Sequence, residues 1–215
     1  MLTVLWVAAT PSFSQKIVSV NSKDQKGQMI KKGKEKIGVW QFYEDGKLVL
    51  EYDYDVDRVI FQQSTEDKSY FYKKNEEWVP VAQLEVYPRY KGSYIQYYET
   101  IYKTLRYPRA ARENYVEGVS FLSFDVDIDG KAINPKIHNS IGFGCDQEIM
   151  RIFKKTKDQW IAAVKNGETI KTKFVVPFVF SFLDAGYILN FSDNLPPASL
   201  LEGVNITLFS SKFVR

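Results

Sequence analysis

The chain has 215 residues, 45% hydrophobic and 26% charged, with a net charge of +3. That composition is typical of a folded protein of one large or two small domains, and excludes a disordered or membrane-embedded chain. A single cysteine, Cys145, and a single histidine, His138, exclude an internal disulfide and the usual Cys/His zinc site.

Residues 1–14 read as a secretory signal peptide. An unbroken apolar run from Leu2 to Ala9 precedes Thr10, Pro11 and the small residues Ser12 and Ser14, with cleavage expected before Gln15. No Lys or Arg precedes the run, so the basic n-region is missing. The run falls short of the ~20 apolar residues that cross a bilayer, so no transmembrane anchor is expected. A buried strand is the competing reading.

Residues 15–80 read as a β-rich module of short antiparallel strands, in keeping with 14 Tyr and 15 Phe. Lys31, Lys32, Lys34 and Lys36 form a short basic run, but Glu51, Asp53, Asp55 and Asp57 follow soon after, so no nucleic-acid partner is expected. Asp45-Gly46 between two apolar runs predicts a two-residue hairpin. Beyond it, Leu48, Leu50, Tyr52, Tyr54 and Val56 share one parity and the acids share the other, as in a half-buried strand. The stretch from Gly38 to Tyr52 resembles one repeat of the MORN-like, YwqK-type antitoxin family, which implies a β-hairpin module.

Pro80, Pro88 and Gly92 mark a linker at 81–92. Residues 93–114 predict a helix, with Ile95, Tyr98, Ile101, Tyr102 and Leu105 spaced by three and four and a break or restart at Pro108. A strand follows from Gly118, with Leu122, Phe124, Val126 and Ile128 inward and Asp125, Asp127 and Asp129 toward solvent. It turns at Asp129-Gly130 and returns through Ile133 and Ile137. The Asp-x-Asp-x-Asp-Gly stretch opens like a calcium loop, but Lys136 stands where the bidentate Glu belongs, so no metal is expected. Asp146 predicts the N-cap of a helix buried through Ile149, Met150, Ile152 and Phe153. Cys145 reads as a small buried thiol at that junction. Trp160 predicts an anchor for the next strand, Asn166-Gly167 a third hairpin turn, and Ile170 to Phe182 a long final strand. Pro177, which lacks an N–H, argues that this strand lies at an edge or carries a bulge.

Tyr107-Pro108-x-x-Ala111, Gly118-Val119, Phe124-x-Val126-x-x-x-Gly130, Ser140, Gly144-Cys145-Asp146-x-Glu148, Trp160, Asn166-Gly167 and Pro177-x-x-Phe180 follow one another in the order and spacing of TonB C-terminal domains. Residues 88–92 are similar to the lead-in of Bacteroidota members. The resemblance implies an α+β fold, with a β-hairpin or meander region ahead of a TonB C-terminal-like domain at 93–183 (two helices and an antiparallel sheet), and an extension at 184–215 that reads as strands.

That resemblance implies an exported, periplasmic protein, with outer-membrane association open, that binds a protein partner and needs no catalytic residue or cofactor. The implied partner is the TonB box of an outer-membrane transporter, added as a strand to a sheet edge. Carried onto this sequence, the edge is Lys173, Phe174, Val175, Val176, Phe178, Val179 and Phe180. A homodimer stays open. The sequence departs from the family in lacking a proline shortly after Trp160, a long anchor and a Pro-rich spacer, so it is not expected to act alone as an energy transducer. Strand-like runs at 187–191 and 204–209 bear on the choice. An open edge favours peptide binding; an edge covered by the extension favours a structural, scaffolding role. An enzyme would need a pocket of convergent titratable groups.

Overall fold

The computed structural model describes residues 16–64, 69–182, 195–201 and 204–207. The expected signal peptide and the strand-like run at 187–191 lie outside the described residues.

The first five strands, β1 (Ile17–Asn21), β2 (Gln25–Ile30), β3 (Glu35–Glu44), β4 (Lys47–Asp53) and β5 (Arg58–Gln62), form an antiparallel meander in chain order. Asp45 and Gly46 take φ of 48° and 75°, the double left-handed turn that lets β3 and β4 pair with native twist. Trp40, Phe42, Leu50 and Tyr52 are buried at its core. Gly27 lies against Trp40, where a Cβ would stand 2.5 Å from Cε2, so only glycine admits the indole. Val56, expected to continue the strand, is exposed in the turn at 54–57 because β4 ends at Asp53.

The chain continues through β6 (Tyr70–Lys74), β7 (Glu77–Val81), β8 (Arg89–Tyr90), α1 (Tyr94–Thr104), α2 (Arg109–Glu113), β9 (Gly118–Val126) and β10 (Ala132–His138). It ends with α3 (Cys145–Thr156), β11 (Trp160–Ile161), β12 (Ala163–Lys165), β13 (Glu168–Ile170), β14 (Thr172–Ser181), β15 (Ser199–Leu200) and β16 (Val204–Thr207). The second sheet runs β10-β9-β14-β6-β7, with β15 and β16 also on β14. α1 and α3 share a core with Leu122, Phe124, Val126, Phe174, Val176, Phe178 and Phe180. The fold is α+β. Trp160 sits at the centre of this core, its ring centroid 5.0 to 5.8 Å from those of Phe124, Phe174, Tyr97 and Tyr90.

Several expectations change. The hairpin β6–β7, placed by sequence in the N-terminal module, joins the second sheet through Tyr72 opposite Thr172. Residues 81–92 are packed rather than strung out: Tyr87, Arg89 and Tyr90 are buried, and Val86 bridges to Val164. Trp160 starts a separate ribbon with β8, not the next strand of the main sheet. Pro108 caps α2, so the expected break is a full restart. Gly144, with φ 88°, is the N-cap of α3, and Asp146 follows in the first turn, where its charge suits the helix dipole. β9 is buried on both faces, so Asp125 is buried, while Ile128 lies past the strand end and is exposed.

Candidate functional site

The backbone of β14 decides what its residues can reach. Along one side it pairs with β9 from Thr172 opposite Val126 to Phe180 opposite Gly118. Successive strand residues direct their amide groups to opposite sides. On the second side, Lys171 C=O accepts the Lys73 N–H at 3.0 Å and Val175 C=O accepts the Leu201 N–H at 2.9 Å. The odd-numbered residues therefore address that side. Three segments share it. β6 meets Thr172, β15 runs parallel beside Phe174 and Val175, and β16 runs parallel beside residues 178–181. Pro177 falls between the last two stretches, so its missing N–H faces a gap in the register of the described strands.

The expected edge strand is thus an interior strand, and this corrects the sequence expectation. Lys173, Phe174, Val175, Val176, Phe178, Val179 and Phe180 lie on a strand flanked on both sides, because β6 and the chain's own extension share the second one. Phe174, Val176, Phe178 and Phe180 point into the helix-side core, and Val175 and Val179 are also buried. Lys173 forms an ion pair with Asp125, its neighbour across the β9–β14 register, with side chains 12% and 7% exposed. Asn134 Nδ2 donates to the other Asp125 oxygen at 2.9 Å, and the Lys173 ammonium lies 4.4 Å from the Trp78 ring centroid. The apparent solvent faces of β9 and β14 therefore neutralise each other.

The remaining motif residues hold the frame. Glu148 Oε1 accepts the Arg106 N–H at 2.7 Å and Arg151 Nη2 at 2.5 Å, while the same Nη2 donates to Thr104 C=O at 2.6 Å. This ties the end of α1 to α3. Burial pushes the Glu148 carboxyl up, but these donors outweigh it and hold the group below its ordinary value. The Tyr107 ring packs on Phe180, centroids 5.4 Å apart. Cys145 is fully buried, and burial, with Asp146 beside it, pushes its thiol up to about 11. His138 Nε2 lies 2.8 Å from Ser123 Oγ, and no hydrogen bond joins it to the thiol.

A cleft of about 400 Å³ between the two sheets is lined by Tyr52, Asp57, Lys91, Ile128 and Trp160. Three of its titratable groups are joined to one another. Tyr52 Oη donates to Asp57 Oδ1 at 2.5 Å and Lys91 Nζ donates to the same oxygen at 2.6 Å. Burial pushes Asp57 up, yet the two donors hold it below the usual carboxylate range, and Tyr52 is pushed far above the phenol range by burial and by Asp57. Both donors thus engage the same oxygen of Asp57.

These residues build a frame around β14, which is paired with β9 on one side and with β6, β15 and β16 on the other. Residues 103–182 match the family of the Gram-negative bacterial TonB protein C-terminal. No curated protein and no solved structure matches the chain. TonB C-terminal domains are non-enzymatic modules of the Gram-negative envelope that interact with other proteins, such as outer-membrane transporters. The match supports a TonB-like envelope protein engaged in interactions. It begins inside α1 and ends just past β14, so the first sheet, β6–β7, β15 and β16 lie outside it. Among the described residues no helix is long and apolar enough to cross a membrane.

Proposed function

We propose that the protein is an exported, periplasmic interaction module that takes an extended segment of an outer-membrane or envelope protein by strand addition on β14, in exchange for its own C-terminal strand. The observation that carries this reading is the pairing of β15 and β16 on β14. Peptide-like segments of this chain already lie along that side as parallel strands, so its amide groups and spacing suit an added strand. The TonB match supports the class of partner, and the TonB box of a transporter is the first candidate. Lys173, Phe174, Val175, Val176, Phe178, Val179 and Phe180 serve as the binding strand through their backbone, with selectivity set by neighbouring side chains.

A second reading rests on the same pairing. Ser199 and Leu201 are only 3% and 2% exposed, and a cover that stays in place makes the protein a structural component of the envelope. A chain ending at Leu201 separates the two, because it removes β16 and keeps the buried plug. Titrated with TonB-box peptides, this chain is expected to show amide shifts at residues 178–181 at lower peptide concentration than the full chain. A folded truncated chain with no shift at ~1 mM peptide, a concentration that detects weak strand addition, would leave the scaffolding role.

A further inference from the structure

We propose a second binding site, in the groove between α1 and the β3–β4 turn, for the cationic side chain of an arginine or lysine in an extended protein segment. The groove holds about 440 Å³ and is lined by Tyr94, Tyr98 and Tyr102 from α1, with Glu44, Asp45 and Glu99. The tyrosines stand four residues apart, so they stack along one helix face. Tyr98 is partly buried and Tyr102 is 52% exposed. All three precede the matched family segment, and the residues that line the groove lie outside it.

The walls already hold one cation. Arg89, 3% exposed, donates to Val49 C=O at 3.0 Å and to Glu44 Oε1 at 3.3 Å, and its guanidinium carbon lies 5.4 Å from the Tyr94 centroid. The same Glu44 oxygen accepts the Tyr94 N–H at 3.1 Å, which fixes the turn against the first residue of α1. Arg89 thus balances Glu44 from beneath. The outer part of the groove has no buried counter-charge among the described residues: Asp45 makes no ion pair there, and Glu99 pairs with Lys103 on the exposed helix surface. An exposed pair of that kind contributes little and exchanges readily.

An apolar ligand would desolvate Asp45 and Glu99 without return. A guanidinium or ammonium instead meets ring faces and carboxylates together, the combination that recognises cations. The groove exceeds one side chain, leaving room for the flanking backbone of an extended segment.

The test uses the full chain and two pentapeptides, Gly-Gly-Arg-Gly-Gly and its neutral citrulline counterpart, with the ring resonances of Tyr98 and Tyr102 as readout. The arginine peptide is expected to shift them and the citrulline peptide is not. The double variant Asp45→Asn and Glu99→Gln is expected to weaken arginine binding about fivefold, a loss set by two exposed carboxylates near a ring. Asparagine suits the left-handed conformation at position 45, so the turn is kept. Equal shifts from both peptides, or none at ~10 mM arginine peptide, overturn the proposal. The chain ending at Leu201 should bind the arginine peptide as the full chain does, which separates this site from the strand-exchange reading.

Discussion

Lys36 is the most unusual single residue in the first sheet. Its ammonium lies 4.6, 4.5 and 5.3 Å from the ring centroids of Trp40, Phe42 and Tyr54, with Tyr54 Oη at 3.4 Å and no carboxylate partner among the described residues. Burial pushes its pKa down from 10.5 to about 8, against the attraction of the three rings. An amine with a lowered native pKa binds fewer protons in the folded chain than in the unfolded one between pH 8 and 10.5. Stability contributed at this site therefore rises with pH through that window. Urea unfolding is expected to show that slope in the wild type and its loss in Lys36→Met, with the variant more stable at pH 7 by about 2 kcal/mol. Lys36 closes the short basic run that starts at Lys31. Nothing in the local pattern marks one of its lysines as folded under an aromatic lid, because the rings come from other positions of β3 and from the turn after β4.

At the scale of elements, turn chemistry and periodicity carried far. Asp45-Gly46 and Asn166-Gly167 each make their hairpin, with positive φ at both positions, and α1 and α3 lie where spacings of three and four put them. What an element pairs with was far less legible. β14 alternates lysines with apolar residues at its start and carries a proline, the signature of an edge strand. The lysine at 173 is inside because Asp125 meets it across the register, and a period of two names no neighbour. The proline was informative in a different way, since it marks the break between two short added strands. The α1–α3 tie gives a test at this scale. Because Glu148 is held below its ordinary pKa, its contribution is present at neutral pH and lost as pH falls below about 4.5 through the lowered native value. Glu148→Gln is expected to lose about 1–2 kcal/mol at pH 7, read by urea unfolding. The difference should shrink in acid.

At the scale of the molecule, the two large sheets are stitched by residues that looked like a linker. Arg89 reaches from β8 into the first sheet at Val49 and Glu44, Ile161 from β11 packs in the first sheet's core, and Val86 bridges to Val164. Proline and glycine put a boundary near residue 80, after a hairpin that pairs into the second sheet. They could not show that the connecting segment is buried, since that depends on β11 and β12 arriving from far along the chain. The consequence is joint unfolding. Trp40 and Trp160 fluorescence, separated by single Trp→Phe variants, should report the same urea midpoint. Arg89→Met, which leaves Glu44 without its buried partner, should lower both midpoints together and cost about 3 kcal/mol. Two separated transitions would show that the stitching is weak.

The parallel strands on β14 also set an order of events. β9 pairs with β14 along nine residues and β16 along four, so an opening that starts at the C-terminal end frees residues 178–181 while β9 still holds the strand. A competing strand would meet that side only during such an opening, and its on-rate would be capped by how often the tail lifts off.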